Sequence, residues 1–359
     1  MHILQVTPRY PPNMGGVETV VQKLSETLVK RGVAVTVYTV DLSRNTCTRK
    51  KINTILVKRF IPVVGDPLFL PEPRFILSML KEKADIIHVH NIHILLPLFA
   101  ALLKHGNQKL VLQPHYHRFG QSSLRHAMLK LYRHLLHTAI MPRTNAVIVN
   151  SAYEAKIFSE DFPCKNILLI PEGIDVKEAK QVRHTPKEPK KILYVGTLKG
   201  YKHVDKVLEG FARLIADEHV SYELVIIGEG PQHDSLVQLA SDLGISQHIR
   251  WKKELSRRQL LQEYAEASAL VLLSSLESFS RVVYEALLIG VPVVVLKDGP
   301  LAHLVQIGLA EGVNSLSSAE IAHAFQRAIA RKWQKKEKIA GVLDWEEYTE
   351  KIVALYSKI

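Results

Sequence analysis

Two series of short apolar segments constrain the fold of this chain more than any other feature. The first lies at 2–7, 33–40, 86–91, 109–115 and 146–151, and the second at 192–196, 222–228, 249–252, 269–275 and 292–296. Continuously apolar strands are buried on both faces, and helix-length segments between them imply parallel pairing. The pattern predicts an α/β fold of two doubly wound, Rossmann-like domains facing a cleft, with ligands at the carboxyl ends of the strands.

A polar stretch separates the two series. Residues 170–191, IPEGIDVKEAKQVRHTPKEPKK, contain three prolines and are typical of a linker. We therefore predict an N-terminal domain at 1–170, a linker at 171–190 and a C-terminal domain at 191–340. The remaining residues, 341–359, are expected to form a C-terminal helix that packs back on the N-terminal domain.

Composition narrows the class of protein. Hydrophobic residues make up 47% and charged residues 23% of 359 positions, as in globular proteins with room for two cores. No apolar stretch approaches the roughly 18 residues of a membrane span, and the N-terminus lacks a signal-peptide pattern, so we expect a cytoplasmic protein. Cys47 and Cys164 stand alone, without CxxC or Cys/His metal spacing, which argues against a disulfide framework and a zinc site.

The stretch ESFSRVVYEALLIGVPVVVL, residues 277–296, contains the most informative candidate binding residues. It predicts a helix from Arg281 to Ile289 with Ser280 as N-cap, ended by Gly290 and followed by Pro292. The backbone N–H groups of residues 280–282 would then form an anion site suited to phosphate.

Two glutamates flank that anion site. Glu277 precedes the helix and Glu285 lies within it, and carboxylates there suit hydroxyl groups. Such a site would fit a ligand with phosphates in the middle and a hydroxylated ring at each end. A nucleotide sugar has this structure. The alternative is one loop carboxylate and one unrelated surface glutamate.

The whole block resembles the donor-binding signature of retaining glycosyltransferases with the two-domain GT-B fold, in the group called family 4. PPNMGGVE (11–18) is similar to the family's glycine loop, which implies that amides near Gly15 and Gly16 approach the donor diphosphate. GTLKGYKHVDKVLEGFARL (196–214) resembles the family's phosphate-binding block and places Lys202 on its lysine. Thr197 stands where the family usually has arginine and His203 where it has glycine. A flexible loop and a solvated lysine are the alternatives.

Further segments extend the resemblance. GEGPQHDSL (228–236), with Gly228 and Gly230, is similar to the family's turn near the nucleotide base, although an ordinary turn would read the same. LIPEGID (169–175) resembles a hinge motif in which Glu172 replaces asparagine, and we expect it to serve domain geometry. In KDGP (297–300) only Gly299 of the family's glycine pair is kept. His115 in QPHYHR (113–118) resembles the histidine near the donor sugar; a packed strand-end histidine is the alternative.

No metal or other cofactor is expected. The alternating histidines of HVHNIH (88–93) are predicted to make hydrogen bonds on a buried strand, and no Asp-x-Asp pair occurs in the sequence. Lys202, the Gly15–Gly16 amides and the helix start at Ser280, Arg281 and Val282 could stabilise a leaving diphosphate without a divalent ion. Arg281 could also replace the arginine missing at Thr197.

The resemblance implies a hexosyltransferase that retains the anomeric configuration, with the leaving phosphate accepting the proton of the acceptor hydroxyl. His115, Lys202 and Glu277 would form the reaction centre, Glu277 binding donor-sugar hydroxyls, while Glu285 would bind the ribose. Two other functions stay open. One is a GT-B nucleotide-sugar 2-epimerase or hydrolase that needs no acceptor, and the other is a non-catalytic nucleotide-binding module.

The charge distribution bears on the acceptor. Residues 1–170 contain 22 lysines and arginines against 10 aspartates and glutamates, whereas the rest contains 25 of each. The excess predicts an anionic partner for the N-terminal domain, which in a GT-B enzyme binds the acceptor. Nucleic acid fits poorly, because no nucleic-acid-binding motif occurs. A glycan or lipid-linked acceptor at the inner face of a membrane fits better.

A basic amphipathic segment at 122–143 suggests how the membrane would be met. A packed helix with a solvated basic face is the alternative to contact with anionic lipid. The apolar stripe of the predicted helix comprises Leu124, Met128, Leu131 and Leu135, and its basic residues are Arg125, Lys130, Arg133, His134 and His137.

Overall fold

The fold was obtained as a computed structural model, which describes residues 1–12, 15–40, 48–65, 68–118, 132–162, 164, 166–217, 221–331 and 339–359. The chain divides into two compact units. The first comprises Met1–Gly173 together with Leu343–Ile359, and the second is the continuous segment Ile174–Val342. The chain therefore leaves the first unit once and returns to it near its end.

Eighteen strands are described, numbered in chain order. They are β1 His2–Thr7, β2 Ala34–Val40, β3 Thr48–Ile52, β4 Ile55–Phe60, β5 Pro62–Val64, β6 Leu70–Pro71, β7 Ile86–His90, β8 Lys109–Gln113, β9 Ala146–Val149, β10 Ile167–Leu169, β11 Gly173–Ile174, β12 Lys190–Val195, β13 Tyr222–Ile227, β14 Ile249–Lys252, β15 Ala269–Leu272, β16 Val293–Leu296, β17 Glu311–Val313 and β18 Leu343–Asp344.

Twelve α-helices are described as well. They are α1 Gly16–Lys30, α2 Pro73–Leu80, α3 Leu96–Leu103, α4 Ala152–Asp161, α5 Val176–Gln181, α6 Val204–Asp217, α7 His233–Asp242, α8 Arg257–Glu266, α9 Arg281–Ile289, α10 Ala302–Gln306, α11 Ser318–Ala330 and α12 Trp345–Tyr356. Short turns of other helix types occur at Leu136–Ile140, Met141–Arg143, Gly200–Lys202 and Ser246–His248. Within the described part of the chain, no helix is both long and apolar enough to cross a membrane.

The first unit is built on an eight-stranded sheet in the order β10-β9-β8-β7-β1-β2-β4-β3. All neighbours pair in parallel except β3 and β4, which form an antiparallel hairpin at one edge. Alternate strand residues enter different cores: Ile3 packs into one cluster and Leu4 into another. The sheet is therefore covered on both faces, as continuously apolar strands require.

The helix α12 completes one of these cores. Asp344 and Glu347 form a reciprocal capping box at its start, which satisfies backbone N–H groups that would otherwise lack partners. Its buried side chains include Trp345, Tyr348 and Ile352, each of which contributes roughly 1.5–3 kcal/mol by leaving water. The last segment of the chain is thus part of the core of the first unit.

The second unit has a six-stranded sheet in the order β14-β13-β12-β15-β16-β17, with every pair parallel. Helices α6 and α11 pack closely on one another at Gly210, where an added Cβ would lie 2.3 Å from Ile321 Cγ2. Glycine is needed there because the two helices leave no room for a side chain.

The predicted α/β class with two Rossmann-like, doubly wound domains is confirmed. The segment predicted as a linker is more structured than expected, since it contains α5 and the start of β12. Strand β15 ends at Leu272, three residues before the predicted end.

Candidate active site

Helix α9 of the second unit runs from Arg281 to Ile289, as the sequence predicts, and Gly290 ends it with a left-handed φ of 100°. The predicted N-cap position is also correct, but the predicted cap bond is absent. Ser280 has φ 80° instead of the extended backbone that lets a side chain reach the first turn, and its buried Oγ has no partner among the described residues. The start of α9 therefore presents backbone N–H groups without a serine cap.

Lys202 and Glu277 form an ion pair beside that helix start. Lys202 ends the turn that follows β12, and its Nζ donates to Glu277 Oε1, with both side chains more than four-fifths buried. The carbonyl of Tyr201 accepts hydrogen bonds from the backbone N and Oγ of Ser275, at 2.9 and 3.2 Å, which join the two loops. Burial disfavours the Lys202 charge, but Glu277 and Tyr201 outweigh it and raise the pKa of the ammonium.

Glu285 has a cationic partner that the sequence did not reveal. Arg257, the first residue of α8, donates from Nη1 to Glu285 Oε1 at 2.8 Å and from Nε to Glu178 Oε2 at 2.7 Å. Glu178 belongs to α5, inside the stretch predicted as a linker. Arg257 is 28 residues from Glu285 and 79 from Glu178, so only the folded chain brings the three together.

The glycines of the predicted base-binding turn have a structural reason. An added Cβ on Gly228 would lie 1.9 Å from Gly196 O, and one on Gly230 would lie 2.3 Å from Leu198 O. These contacts bring the carboxyl ends of β12 and β13 together and place exposed Thr197 at the same edge of the sheet. Close backbone packing thus explains both glycines without a ligand.

The remaining donor-site candidates of the second unit are Arg281 and Val282. Arg281 opens α9 and is partly exposed, whereas Val282 is partly buried against the apolar core. The structure therefore places Thr197, Lys202, Glu277 and the start of α9 at the carboxyl ends of β12 and β15.

The predicted glycine loop lies in the first unit at the start of α1. Gly15 is the N-cap residue with extended backbone, and an added Cβ would lie 2.4 Å from Glu18 Oε2, while Gly16 faces open space. Asn13 and Met14 of the same motif lie outside the described residues, as do Cys47 and residues 119–131 of the predicted basic helix.

His115 follows the end of β8 with a left-handed φ of 47°. Its Nδ1 is 3.2 Å from Asn150 Nδ2 and 3.4 Å from Glu172 Oε1, and the imidazole and that carboxylate are each 7% exposed. Its Nε2 is buried without a hydrogen-bond partner among the described residues. Glu172, which we expected to serve domain geometry, therefore contacts a predicted reaction-centre residue.

A buried polar layer extends from His115. Asn150 Oδ1 accepts from Gln113 Nε2 at 2.6 Å, and the hydroxyl of Tyr348 lies 3.1 Å from Gln113 Oε1. His88 and His90 stack with ring centroids 4.3 Å apart.

The two stacked histidines make hydrogen bonds, as the sequence predicts. His88 Nδ1 lies 2.6 Å from the Tyr356 hydroxyl and His90 Nε2 lies 2.8 Å from Gln5 Oε1. Burial, followed by the charge of His115, lowers the pKa of His88 to about 3, and burial holds the pKa of His90 well below its ordinary value. Both imidazoles are therefore neutral. No group of three or more metal-ligating side chains comes together in the part of the chain that the structure describes.

Glu154 is the most deeply buried carboxyl of this layer. Its two oxygens accept from the backbone N–H groups of Tyr116 and Asn150. Burial raises its pKa to about 7, against the opposing effects of His115 and the two N–H groups. The carboxyl is thus close to half protonated at neutral pH.

Sequence reasoning missed Arg257, Glu154 and Asn150, and assigned Glu172 a different purpose. Each gains its meaning from a contact across the fold. The one available signal was the departure at Glu172, where a charged residue replaces the asparagine of the hinge motif.

Known proteins similar to this chain match nearly all of it. The family described as "Glycosyltransferase Family 4" matches residues 14–178, and the family described as "Glycosyl transferases group 1" matches residues 175–340. A D-inositol 3-phosphate glycosyltransferase of Geodermatophilus obscurus is 23% identical over 96% of this chain and 84% of its own. An uncharacterized glycosyltransferase of Methanocaldococcus jannaschii is 26% identical over 85% of this chain and 83% of its own.

Solved structures share the fold. Sucrose-phosphate synthase of Thermosynechococcus elongatus superposes with a TM-score of 0.75 at 18% identity, covering 99% of this chain and 98% of its own. Anabaena HepE, solved with UDP-glucose, also gives a TM-score of 0.75 at 18% identity and covers all of both chains. The two adjoining family matches, which together span residues 14–340, show that the chain belongs to the family 4 glycosyltransferases, of the group called glycosyl transferases group 1, and the solved structures show that it has the GT-B fold.

Proposed function

We propose that this glycosyltransferase moves a hexose from a nucleotide diphosphate sugar to an acceptor hydroxyl, retains the anomeric configuration and needs no metal. The observation that carries the proposal is the pair of ionic contacts around α9. Lys202 with Glu277 stands at its start, and Arg257 holds Glu285 within it. The complex of Anabaena HepE with UDP-glucose supports a donor of this kind.

Each group has a distinct role toward such a donor. The diphosphate binds at the start of α9, where N–H groups and the helix dipole favour negative charge, and it draws Lys202 away from Glu277. Glu277 is then available to accept hydrogen bonds from donor-sugar hydroxyls. Glu285, oriented by its contact with Arg257, accepts those of the ribose.

In the transfer step, the bond between the anomeric carbon and the phosphate oxygen breaks, and a bond from the acceptor oxygen forms on the same face of the sugar. The acceptor proton passes to the leaving phosphate oxygen, so the step needs no co-reactant. Lys202 and oriented N–H groups stabilise the charge that develops on the diphosphate. Arg281, at the helix start, would add a cation where Thr197 supplies none.

The same groups support a transfer that needs no metal. The sequence contains no Asp-x-Asp pair, and Lys202 supplies a charge at the place where a divalent ion would otherwise neutralise phosphate. Turnover should therefore survive EDTA. Loss of turnover on chelation, with recovery on adding Mg²⁺ or Mn²⁺, would contradict the proposal.

A lipid-linked glycan at the inner face of the membrane is our proposed acceptor, with the first unit on the acceptor side. Described residues add to the argument from charge, because Arg49, Lys50 and Lys51 are exposed on edge strand β3. Leu77 and Leu80 of α2 are 56% and 51% exposed. Exposed cations and exposed leucines on one unit suit anionic head groups above an acyl layer, at about 1 kcal/mol per basic residue near the surface.

Vesicle sedimentation tests this acceptor proposal. The protein should bind vesicles containing anionic lipid, lose binding as salt rises, and bind less when Arg49, Lys50 and Lys51 become Glu. Equal partitioning to neutral and anionic vesicles, or to neither, would leave a soluble acceptor.

The decisive test of the activity is a panel of nucleotide sugars incubated with and without acceptor lipids, with nucleoside diphosphate release as readout. Transfer requires an acceptor, and NMR of the product should show the anomeric configuration of the donor. A 2-epimerase or hydrolase would release product without an acceptor, and a binding module would bind the donor but release nothing.

A further inference from the structure

Two different groups compete for one nitrogen of His115. Asn150 Nδ2 lies 3.2 Å from Nδ1, which suits an Nδ1 lone pair. Glu172 Oε1 lies 3.4 Å from the same atom, which suits an Nδ1–H. The two arrangements require opposite tautomers of a neutral imidazole.

The hydrogen bonds behind Asn150 can follow either arrangement. In one direction Tyr348 donates to Gln113, Gln113 to Asn150 and Asn150 to His115 Nδ1. An amide flip exchanges its oxygen and nitrogen, so the chain also closes in reverse: Nδ1–H donates to Asn150, Asn150 to Gln113 and Gln113 to the Tyr348 hydroxyl. Since every group can donate or accept as required, this chain alone does not choose the tautomer.

The carboxylate of Glu172 determines which of the two His115 tautomers is favoured. A lone pair on Nδ1 facing a carboxylate with 7% exposure would set two acceptors against each other, and burying a polar group without a complementary partner is costly. An Nδ1–H instead has two acceptors within reach, Glu172 Oε1 at 3.4 Å and, after the amide flip, the side-chain oxygen of Asn150 at 3.2 Å. We propose that Glu172 is a positioning residue that holds the proton of His115 on Nδ1 and thereby presents Nε2 as a hydrogen-bond acceptor for a hydroxyl of the donor sugar.

The other polar side chains near His115 are already paired, which leaves Glu172 to hold the proton on Nδ1. His88 and His90 are neutral and make their own hydrogen bonds to Tyr356 and Gln5. Glu154 is occupied by two backbone N–H groups.

The backbone fixes where the imidazole points. His115 has a left-handed φ of 47°, which is strained in a residue other than glycine and persists only where the surroundings hold it. Its Nε2 is buried and has no partner among the described residues. A hydroxyl reaching Nε2 would satisfy an acceptor that is otherwise left unpaired, which is a specific way to recognise a sugar. The inference rests on the proposed function for the identity of that hydroxyl, but the tautomer does not.

The test is ¹⁵N NMR of the imidazoles in the full protein at mildly alkaline pH. Loss of one signal set in His115→Gln assigns the resonances. Wild type and Glu172→Asp should show the proton of His115 on Nδ1 alone, whereas Glu172→Gln should populate the Nε2–H tautomer as well, because a glutamine amide can donate to Nδ1 as readily as accept from it. A proton on Nε2 in wild type, or an unchanged tautomer in Glu172→Gln, overturns the proposal whatever the activity.

Turnover then tests the sugar contact. With a nucleotide sugar that the donor panel shows to be active, Glu172→Gln should lower kcat in proportion to the Nε2–H tautomer seen by NMR, and Glu172→Asp should keep kcat near that of wild type, since only a carboxylate holds all of the Nε2 population as an acceptor. If Glu172→Gln fails to fold, Glu172→Asn provides the uncharged variant. A moved proton with unchanged kcat would overturn the contact between Nε2 and substrate while leaving nucleotide-sugar transfer itself intact.

Discussion

The two units hold their functional side chains in opposite ways. In the second unit, Lys202 with Glu277 and Arg257 with Glu285 are pairs of full charges. In the first unit, the groups around His115 are mostly neutral and are linked by hydrogen bonds. Charges of opposite sign exchange partners readily with an ionic ligand, whereas a buried chain of amides and imidazoles fixes direction. Under the proposed function, the second unit would bind the charged part of the donor and the first unit would orient a neutral group.

The candidate sites of both units nevertheless share one feature of the backbone. A residue other than glycine takes a left-handed backbone at each site, His115 with φ 47° and Ser280 with φ 80°. Such positions cost energy and tend to occur where a group must point in one direction.

The largest expected effect tests, through Glu154, whether the buried groups around His115 are mostly neutral. Its pKa rises from 4.5 to about 7 on folding, so the folded state holds a proton that the unfolded state has lost. The contribution is therefore present below about pH 4.5 and is lost as the pH rises to about 7, with a limit of about 3 kcal/mol. The difference in free energy of unfolding between wild type and Glu154→Gln, measured by denaturant at several pH values, should change over that window. A difference independent of pH would show that folding does not raise the pKa of Glu154.

The next effect tests charge in the second unit. Lys202→Ala should lower kcat/KM about a hundredfold, or about 2.7 kcal/mol, because a charge-assisted contact to phosphate is lost in a buried site. The matched control is Arg213→Ala, whose exposed pair with Asp217 should matter little for activity or stability. Activity of Lys202→Ala within twofold of wild type would contradict its contact with the leaving diphosphate.

Arg257 offers a smaller test of the same idea. Arg257→Ala should raise KM for the donor about tenfold with less change in kcat, because Glu285 loses the partner that orients it toward the ribose. Arg257→Lys should keep only part of the donor affinity, since one ammonium cannot reproduce the contacts of the guanidinium with both Glu285 and Glu178. Glu178→Gln removes the other carboxylate of Arg257 and serves as control. An equal rise in KM for Glu178→Gln would indicate a structural effect instead.

Ser280 carries the smallest expected effect. Ser280→Gly should stabilise the fold by about 0.5–1 kcal/mol in thermal unfolding, because glycine accepts positive φ without strain. Ser280→Ala keeps the strain and removes only the hydroxyl. If Ser280→Gly and Ser280→Ala both lower kcat/KM tenfold, the Oγ itself contacts the donor; otherwise the site uses only backbone N–H groups here.

The sequence predicted local structure best where local chemistry decides it. Helix α9 begins and ends where predicted, because Gly290 and Pro292 allow no continuation. The Ser280 cap bond was wrong, since the backbone conformation at that residue depends on how the loop after β15 is packed. Helix α5 was missed because residues 170–191 have the composition of a linker, and a six-residue helix has too little pattern to oppose it.

The candidate site could be predicted only in part, because its side-chain contacts join residues that are far apart in the sequence. Lys202 and Glu277 were both identified from motifs, but their contact spans 75 residues and no spacing predicts it. Arg257 and Glu172 were missed as site residues because each matters only through a partner in another element.

The discontinuous first unit has a consequence for synthesis. Its core includes Trp345, Tyr348 and Ile352, which are translated after the entire second unit. At ~5–20 residues per second, the ribosome needs roughly 10 to 40 s to go from Gly173 to the end of the chain. During that time the polar layer around His88 lacks the tyrosines that pair with it, while the second unit, being continuous, can already close. We therefore expect the first unit, most of which is translated before the second, to complete its folding after the second unit has folded.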